Sequence, residues 1–386
     1  MIDLDTRARG AATGLWRAVD DFALVPMDAR PSSRWRRTLA ISLAGLLVLA
    51  AVVVAVRAAR EDTGVRTVDH EPSRPLVGTE VGGYASSMAV NAHGVIIANQ
   101  TAEVINLDRE TGAIATRVPT ERRTDEVVSD PKLGIWAFGG GDGGDSTGDL
   151  VFLGPSTIRP PATIHLDHAA TAVALFADRV WVLDFAGILS ARDPRTLAVT
   201  FQTPMPEAEY DGSFTVADGH LWIGTAKVLY EYDPGTTGPG PVDFTSVTVG
   251  GDARFTAVAS DGRWLWDSVC TDIARHRCVL ERRDPKDGTL LDQLQDHPLA
   301  KVYGGPTGAA PGIVGADGSV WAIAADGPSL IRTTPSGGVE RVMTIPPELR
   351  SDGSAMNRRF FTVGAGALWF SVPGVRQDQV YRLPLP

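Results

Sequence analysis

Phe214-Thr215-Val216-Ala217-Asp218-Gly219-His220-Leu221-Trp222-Ile223-Gly224 is the stretch that decides the fold of this 386-residue chain. Two short runs rich in β-branched and aromatic residues flank an Asp-Gly pair. That pair accepts the positive φ angles of a type I′ turn, whose twist matches two antiparallel strands. The pattern predicts a tight hairpin with Trp222 on its second strand. Asp261-Gly262 and Asp317-Gly318 stand in the same place ahead of Trp266 and Trp321. Working outward, an aliphatic residue followed by Trp recurs as Ile135-Trp136, Val180-Trp181, Leu221-Trp222, Leu265-Trp266, Val320-Trp321 and Leu368-Trp369, with Val95-Ile96 as a degenerate seventh copy. Successive spacings of 40, 45, 41, 44, 55 and 48 residues describe one structural unit repeated to the end of the chain.

A second signal follows five of the six tryptophans by 11 to 18 residues: Asp193-Pro194, Asp233-Pro234, Asp284-Pro285, and the weaker Gly154-Pro155 and Thr334-Pro335. Proline fixes φ for a turn and cannot donate to a ladder, so it ends a third strand. A fourth β-rich run comes next, such as Leu197 to Gln202 or Ser246 to Val249. Each unit therefore reads as a four-stranded antiparallel meander. Such a sheet cannot bury both faces alone, and radial stacking of several covers them; this is a β-propeller. The tryptophans then fill the space between blades; the alternative is that they are exposed stacking platforms for a ligand. The last unit, ending at Pro386, has three strands, while Arg74 to Val81 is an orphan run of one-strand length. That run is expected to supply the outer strand of blade seven and close the ring.

The aliphatic-Trp phrase followed by a strand ending in Asp-Pro resembles the blades of the NHL, YVTN and streptogramin-lyase-like propeller superfamily. The copies that carry it are Val180-Trp181 with Asp193-Pro194-Arg195-Thr196, Leu221-Trp222 with Asp233-Pro234-Gly235-Thr236, and Leu265-Trp266 with Asp284-Pro285. Asp108-Arg109-Glu110-Thr111-Gly112 keeps the phrase without its proline. The resemblance covers residues 75–386 and implies an all-β, seven-bladed propeller of four-stranded antiparallel blades. It implies little about activity, because the superfamily holds binding scaffolds, sensors and a few enzymes. The Gly-His and Trp-Asp phrases of WD40 blades are absent as a repeated pair.

Leu39 to Val56 is an uncharged run of 18 residues bounded by Arg36-Arg37 and Arg57. About 27 Å of helix at 1.5 Å per residue roughly matches a hydrocarbon core near 30 Å. The expected organisation is a cytoplasmic tail at 1–38 with an amphipathic helix, a transmembrane helix at 39–56, a juxtamembrane linker at 57–73 and the propeller at 74–386. Arginines near the two ends of the span are nearly balanced, so the positive-inside rule does not orient it. The long basic tail and a cysteine pair suited to an oxidising compartment place the N-terminus inside and the propeller outside the cell membrane, with cleavage as a signal peptide the rival reading. Four lysines against 32 arginines, with abundant Ala and Gly, is the composition of a GC-rich bacterial genome, with actinobacteria the expected source. Beyond Thr38 the chain holds 29 basic and 41 acidic residues, a balance of −12 that argues against nucleic acid as a partner.

Connections between blades, and the turns between second and third strands, share one face of a propeller, here called the loop face. Two such turns are enlarged: the glycine-rich Gly139 to Asp149, and Thr271 to Arg277 between Cys270 and Cys278. The only two cysteines face each other across a hairpin and are expected to form a disulfide. Candidate ligand-binding residues on this face are Tyr210, Tyr303, Arg358 and Arg359, since aromatic and Arg side chains carry most binding energy. Enzymes of the streptogramin-lyase type use His and Glu there with Mg²⁺, which makes His168, His276 and His297 the alternative, metal-holding set. No position matches that catalytic motif, so no catalytic residue is carried over. His165, Asp167 and His168 form another metal-competent group, and Asp142, Asp145 and Asp149 a calcium-type one without EF-hand spacing. No phosphate loop, nucleophile elbow or zinc-protease phrase occurs, and no cofactor is called for. The leading functional expectation is a membrane-anchored recognition or sensing module whose partners are an envelope ligand or protein and the lipid bilayer. The alternative is a metal-dependent lyase- or lactonase-like enzyme.

Overall fold

The computed structural model describes residues 77–140, 147–154, 162–206, 213–234, 244–250, 253–272, 277–294, 299, 312–324, 329–346, 360–372 and 377–386. The expected tail, transmembrane helix and linker lie outside these residues. The described chain forms seven separate four-stranded antiparallel sheets, each the blade of a propeller. Blade one shows the plan: Ser87–Val90 is the inner strand, then Gly94–Ala98, Glu103–Asp108 and the outer Ile114–Pro119. Trp136, Trp181, Trp222, Trp266, Trp321 and Trp369 all lie on the second strands of blades two to seven and are buried.

The repeat of Trp has a specific physical reason. The indole N–H turns back onto its own hairpin: Trp136 donates to Leu133 O at 2.9 Å, Trp181 to Phe176 O at 3.1 Å, Trp321 to Ala316 O at 3.1 Å and Trp369 to Gly364 O at 3.3 Å. Trp266 donates instead to the Asp261 carboxylate at 2.8 Å. Only the Trp222 indole, among these six, has no hydrogen-bond partner among the described residues. The opposite side of the ring meets the next blade. Gly112, in the third-to-outer turn of blade one, sits against Trp369, and Gly288 of blade five sits against Trp222. Arg382 stacks over Trp369 at 5.8 Å and donates from Nε to Arg109 O at 2.8 Å, tying blade seven to blade one. Ring, turn and guanidinium together form the joint between blades, so the tryptophans are structural.

Turn chemistry follows the sequence in part. Asp218-Gly219 and Asp317-Gly318 have positive φ at both positions (50° and 80°, 51° and 69°), as a type I′ turn requires. Asp261-Gly262 departs from the expectation. Strands end at Ser260 and resume at Leu265, and only Gly262 of the intervening residues has positive φ. There the Asp261 side chain builds the turn by accepting the N–H groups of Arg263 and Trp264 at 2.9 and 2.7 Å. The Asp-Pro turns work the same way, with Asp193 accepting the N–H of Arg195 and of Thr196 at 2.9 and 2.7 Å. Leu197, read as the start of a strand, lies in that turn with φ 63°, and the outer strand begins at Val199.

Ring closure is as expected. Gly78–Glu80 is the outer strand of blade seven and pairs with Gln379–Pro384 in the register Gly78↔Tyr381, Thr79↔Val380, Glu80↔Gln379. Cys270 and Cys278 form a disulfide between directly opposed residues of blade five. The ladder continues past them to Asp272↔Arg277, so the turn is shorter than the Thr271 to Arg277 loop predicted.

The glycine-rich segment of blade two also differs. Its strands run to Gly140 and resume at Gly148, with Gly139 paired to Asp149. A Cβ on Gly139 would meet Arg123 O at 2.2 Å, and one on Gly148 would meet the Ala169 backbone at 2.6 Å. These glycines serve close backbone approach; residues 141–146 lie outside the described ones.

Candidate functional site

The seven inner strands surround an axial channel. Inner strands begin at the loop face, and there a cavity of about 300 Å³ is lined by residues including Ser87, Glu126, Ser213, Phe214, Ile313 and Phe361. The opposite mouth, of about 670 Å³, is bordered by Asn91, Arg109, Asp130 and Asp317 above an apolar collar.

Glu126 is the unusual group in the loop-face mouth. It is the first residue of the inner strand of blade two, lines the cavity and is only 4% exposed. Burial, and then the charge of Asp125, hold its carboxyl well above the ordinary carboxylate range. Asp125 itself accepts from Arg123 Nε at 2.7 Å and from Gly140 N at 3.2 Å. Arg123 and the Gly140 N–H hold Asp125 as a carboxylate, and its charge adds to burial in disfavouring ionisation of Glu126. A buried neutral carboxyl is both donor and acceptor, and no described residue engages it by hydrogen bond.

A second polar group stands on the rim of blade two. Asp149, on the third strand, faces His165 of the outer strand in the ladder, and Asp149 Oδ1 lies 2.8 Å from His165 Nδ1. Glu121, in the connection from blade one, brings Oε2 to 3.9 Å from His165 Nε2. Arg122 Nε lies 3.7 Å from Asp149 Oδ2.

Of the residues singled out in the sequence, Tyr210, Tyr303, Arg358, Arg359, His276 and His297 lie outside the described residues. His168 is exposed in the connection between blades two and three. His165 is gathered with Asp149 and Glu121, and this trio is the group among the described residues whose ligand atoms all lie within 4.8 Å of one another. Asp142 and Asp145 lie outside the described residues. Glu126 and Glu121 were not singled out. One signal was visible for Glu126, a carboxylate opening the apolar inner run Glu126-Val127-Val128; Glu121 gave none.

A solved structure shares this architecture. The streptogramin B lyase structure superposes with a TM-score of 0.56 at 12% identity, covering 81% of this chain and 98% of that one. The chain is a seven-bladed β-propeller. The Cps50 (Swd1) β-propeller domain of Myceliophteria thermophila matches at 14% identity and a TM-score of 0.45, over 63% of the propeller chain and 80% of its own. At 12% identity the likeness to the lyase structure is one of fold, which is what the blade phrases implied. No protein-family model matches the propeller chain, and a search of curated proteins finds no match.

Proposed function

We propose that the chain is a membrane-anchored, extracytoplasmic propeller that binds an envelope ligand or partner through the loop-face mouth of its channel, as a recognition or sensing module. The observation that carries this reading is Glu126: a buried carboxyl, held well above the ordinary carboxylate range by burial and not hydrogen-bonded by any described residue, inside a cavity of about 300 Å³. That volume is at the lower end for small-molecule pockets, and such pockets fix a ligand with a few placed polar groups on an apolar wall. A ligand offering a hydrogen-bond acceptor to Glu126 satisfies a buried polar group and gains specificity from it. Leu39 to Val56 supplies the anchor in this reading. Tyr210, Tyr303, Arg358 and Arg359 extend the contact surface across the loop face.

The test uses the full chain in detergent against a panel of envelope saccharides, peptidoglycan fragments and acyl lipids, read as a shift in unfolding temperature. A binder is expected to keep its effect in Glu126→Gln, which preserves a neutral donor, and to lose it in Glu126→Leu. Loss in Glu126→Gln, or retention in Glu126→Leu, contradicts the site. Protease added to intact cells should cut propeller loops and spare residues 1–38; protection of the propeller until lysis contradicts the orientation.

The second reading is a metal-dependent lyase- or lactonase-like enzyme. In its favour, His168 stands exposed on the loop face, where the alternative set His168, His276 and His297 has to act. It predicts a turnover activity removed by a chelator and by replacement of any of the three. Turnover surviving both treatments would refute it.

A further inference from the structure

We infer that the rim of blade two is a binding site for a divalent transition-metal ion of the zinc type, held by His165 Nε2 and a Glu121 carboxylate oxygen, with Asp149 positioning the imidazole. The site stands on the third and outer strands and the connection from blade one, and is independent of Glu126 and the channel mouth.

Strand register makes the site. Asp149 and His165 are direct cross-strand partners, so the two side chains share one face of the blade. Asp149 is only 2% exposed, and its Oδ1 lies 2.8 Å from His165 Nδ1. A carboxylate only accepts, so the ring proton sits on Nδ1 and the Nε2 lone pair is free to coordinate. This is the carboxylate–histidine arrangement that orients imidazole ligands of metals and raises their basicity. Nε2 then faces Glu121 Oε2 at 3.9 Å. That gap is too long for a hydrogen bond, yet two ligands on one ion, with bonds of about 2.0–2.2 Å each, span a distance of this order.

Charge favours a cation. Two carboxylates, Glu121 and Asp149, face one guanidinium, Arg122, which also donates to Thr147 Oγ1 at 3.2 Å. The second oxygen of Asp149 is buried without a hydrogen-bond partner among the described residues, its charge met only by Arg122 Nε at 3.7 Å. The His165 and Glu121 side chains are 65% and 62% exposed, so water completes the coordination and the ion exchanges with solvent. Imidazole with carboxylate suits zinc, nickel or copper better than magnesium or calcium, which prefer all-oxygen shells.

The test titrates zinc chloride alone into the metal-stripped full chain in detergent, by calorimetry, with X-ray absorption on the loaded protein. The expected result is uptake of zinc with an imidazole nitrogen in its shell. His165→Asn removes that nitrogen and, like Glu121→Gln, weakens binding at least about tenfold, and Asp149→Asn weakens it about 10–100-fold through loss of positioning. His93→Asn, in the exposed turn between the inner and second strands of blade one, leaves binding unchanged. Near-UV circular dichroism of the buried tryptophans is recorded for each variant; if Asp149→Asn disturbs the fold, the exposed Glu121→Gln and His165→Asn decide. No zinc uptake, uptake unchanged in both of those variants, or a calcium site insensitive to His165→Asn overturns the proposal.

Discussion

The Asp378 carboxylate accepts the backbone N–H of Ala85 at 3.0 Å, joining residues 293 positions apart in sequence. Asp378 is fully buried; its own N–H donates to Gly83 O at 2.8 Å and its carbonyl accepts from Val81 N at 3.1 Å. One residue thus clips the last blade to both ends of the turn that follows the borrowed strand.

Asp378→Ala leaves the Ala85 N–H in a buried place without its acceptor, and should lower stability by about 1–3 kcal/mol. Deleting residues 70–82 removes the borrowed strand as well and exposes two sheet edges, so it should cost several kcal/mol, of order 3 or more. Urea unfolding followed by tryptophan fluorescence reads both. A deletion that leaves the midpoint unchanged would contradict closure through Gly78–Glu80.

The indole bonds make a comparison possible within one molecule. Trp181→Phe removes a donor from Phe176 O as well as ring volume, whereas Trp222→Phe removes an indole N–H that has no hydrogen-bond partner among the described residues. Trp181→Phe should therefore cost about 1 kcal/mol more than Trp222→Phe. Equal losses would show that ring packing, and not the turn-closing bond, explains the repeated Trp.

Blade five contains a buried charged group with a predictable pH signature. Arg283 donates from Nε to Asp267 Oδ1 at 3.0 Å and also pairs with Glu281. Burial pushes the Asp267 carboxyl up to about 7; Arg283 opposes this and the nearby Glu281 adds to it. The folded state therefore holds a proton that the unfolded chain releases near 3.8. This contribution to stability is fully present below that value, falls as pH rises, and levels off above about 7. In Asp267→Asn the fall between these limits should be flatter, measured as unfolding midpoints across the range. A variant with the same slope as the parent would show that Asp267 is not its source.

The architecture was legible in the sequence because its causes are local. Asp-Gly turns, an aliphatic-Trp pair and Asp-Pro each act within a few residues, and their recurrence multiplies the signal. Where one turn departed, at Asp261-Gly262, the side chain of Asp261 replaced the two-residue geometry with its own hydrogen bonds, which a dipeptide pattern cannot distinguish. The site was far less legible. A carboxylate opening an apolar strand is a weak signal; what sets Glu126 apart is that seven inner strands line the cavity around it, and no sequence window contains that fact. The sequence puts Asp149 at the end of an enlarged turn because a run of glycines reads as a break between strands. In the fold, Gly139 and Gly148 allow close backbone approach, which extends the ladder and sets Asp149 opposite His165.

Glu126 gives the most direct test of the central claim, a binding mouth built around a buried acid whose ionisation is disfavoured. Isotope-edited carboxyl NMR on the chain labelled at glutamate, with Glu126→Gln to assign the signal, follows its titration. The account predicts a Glu126 carboxyl titrating well above the other glutamates. A Glu126 signal already ionised in the ordinary carboxylate range would contradict it.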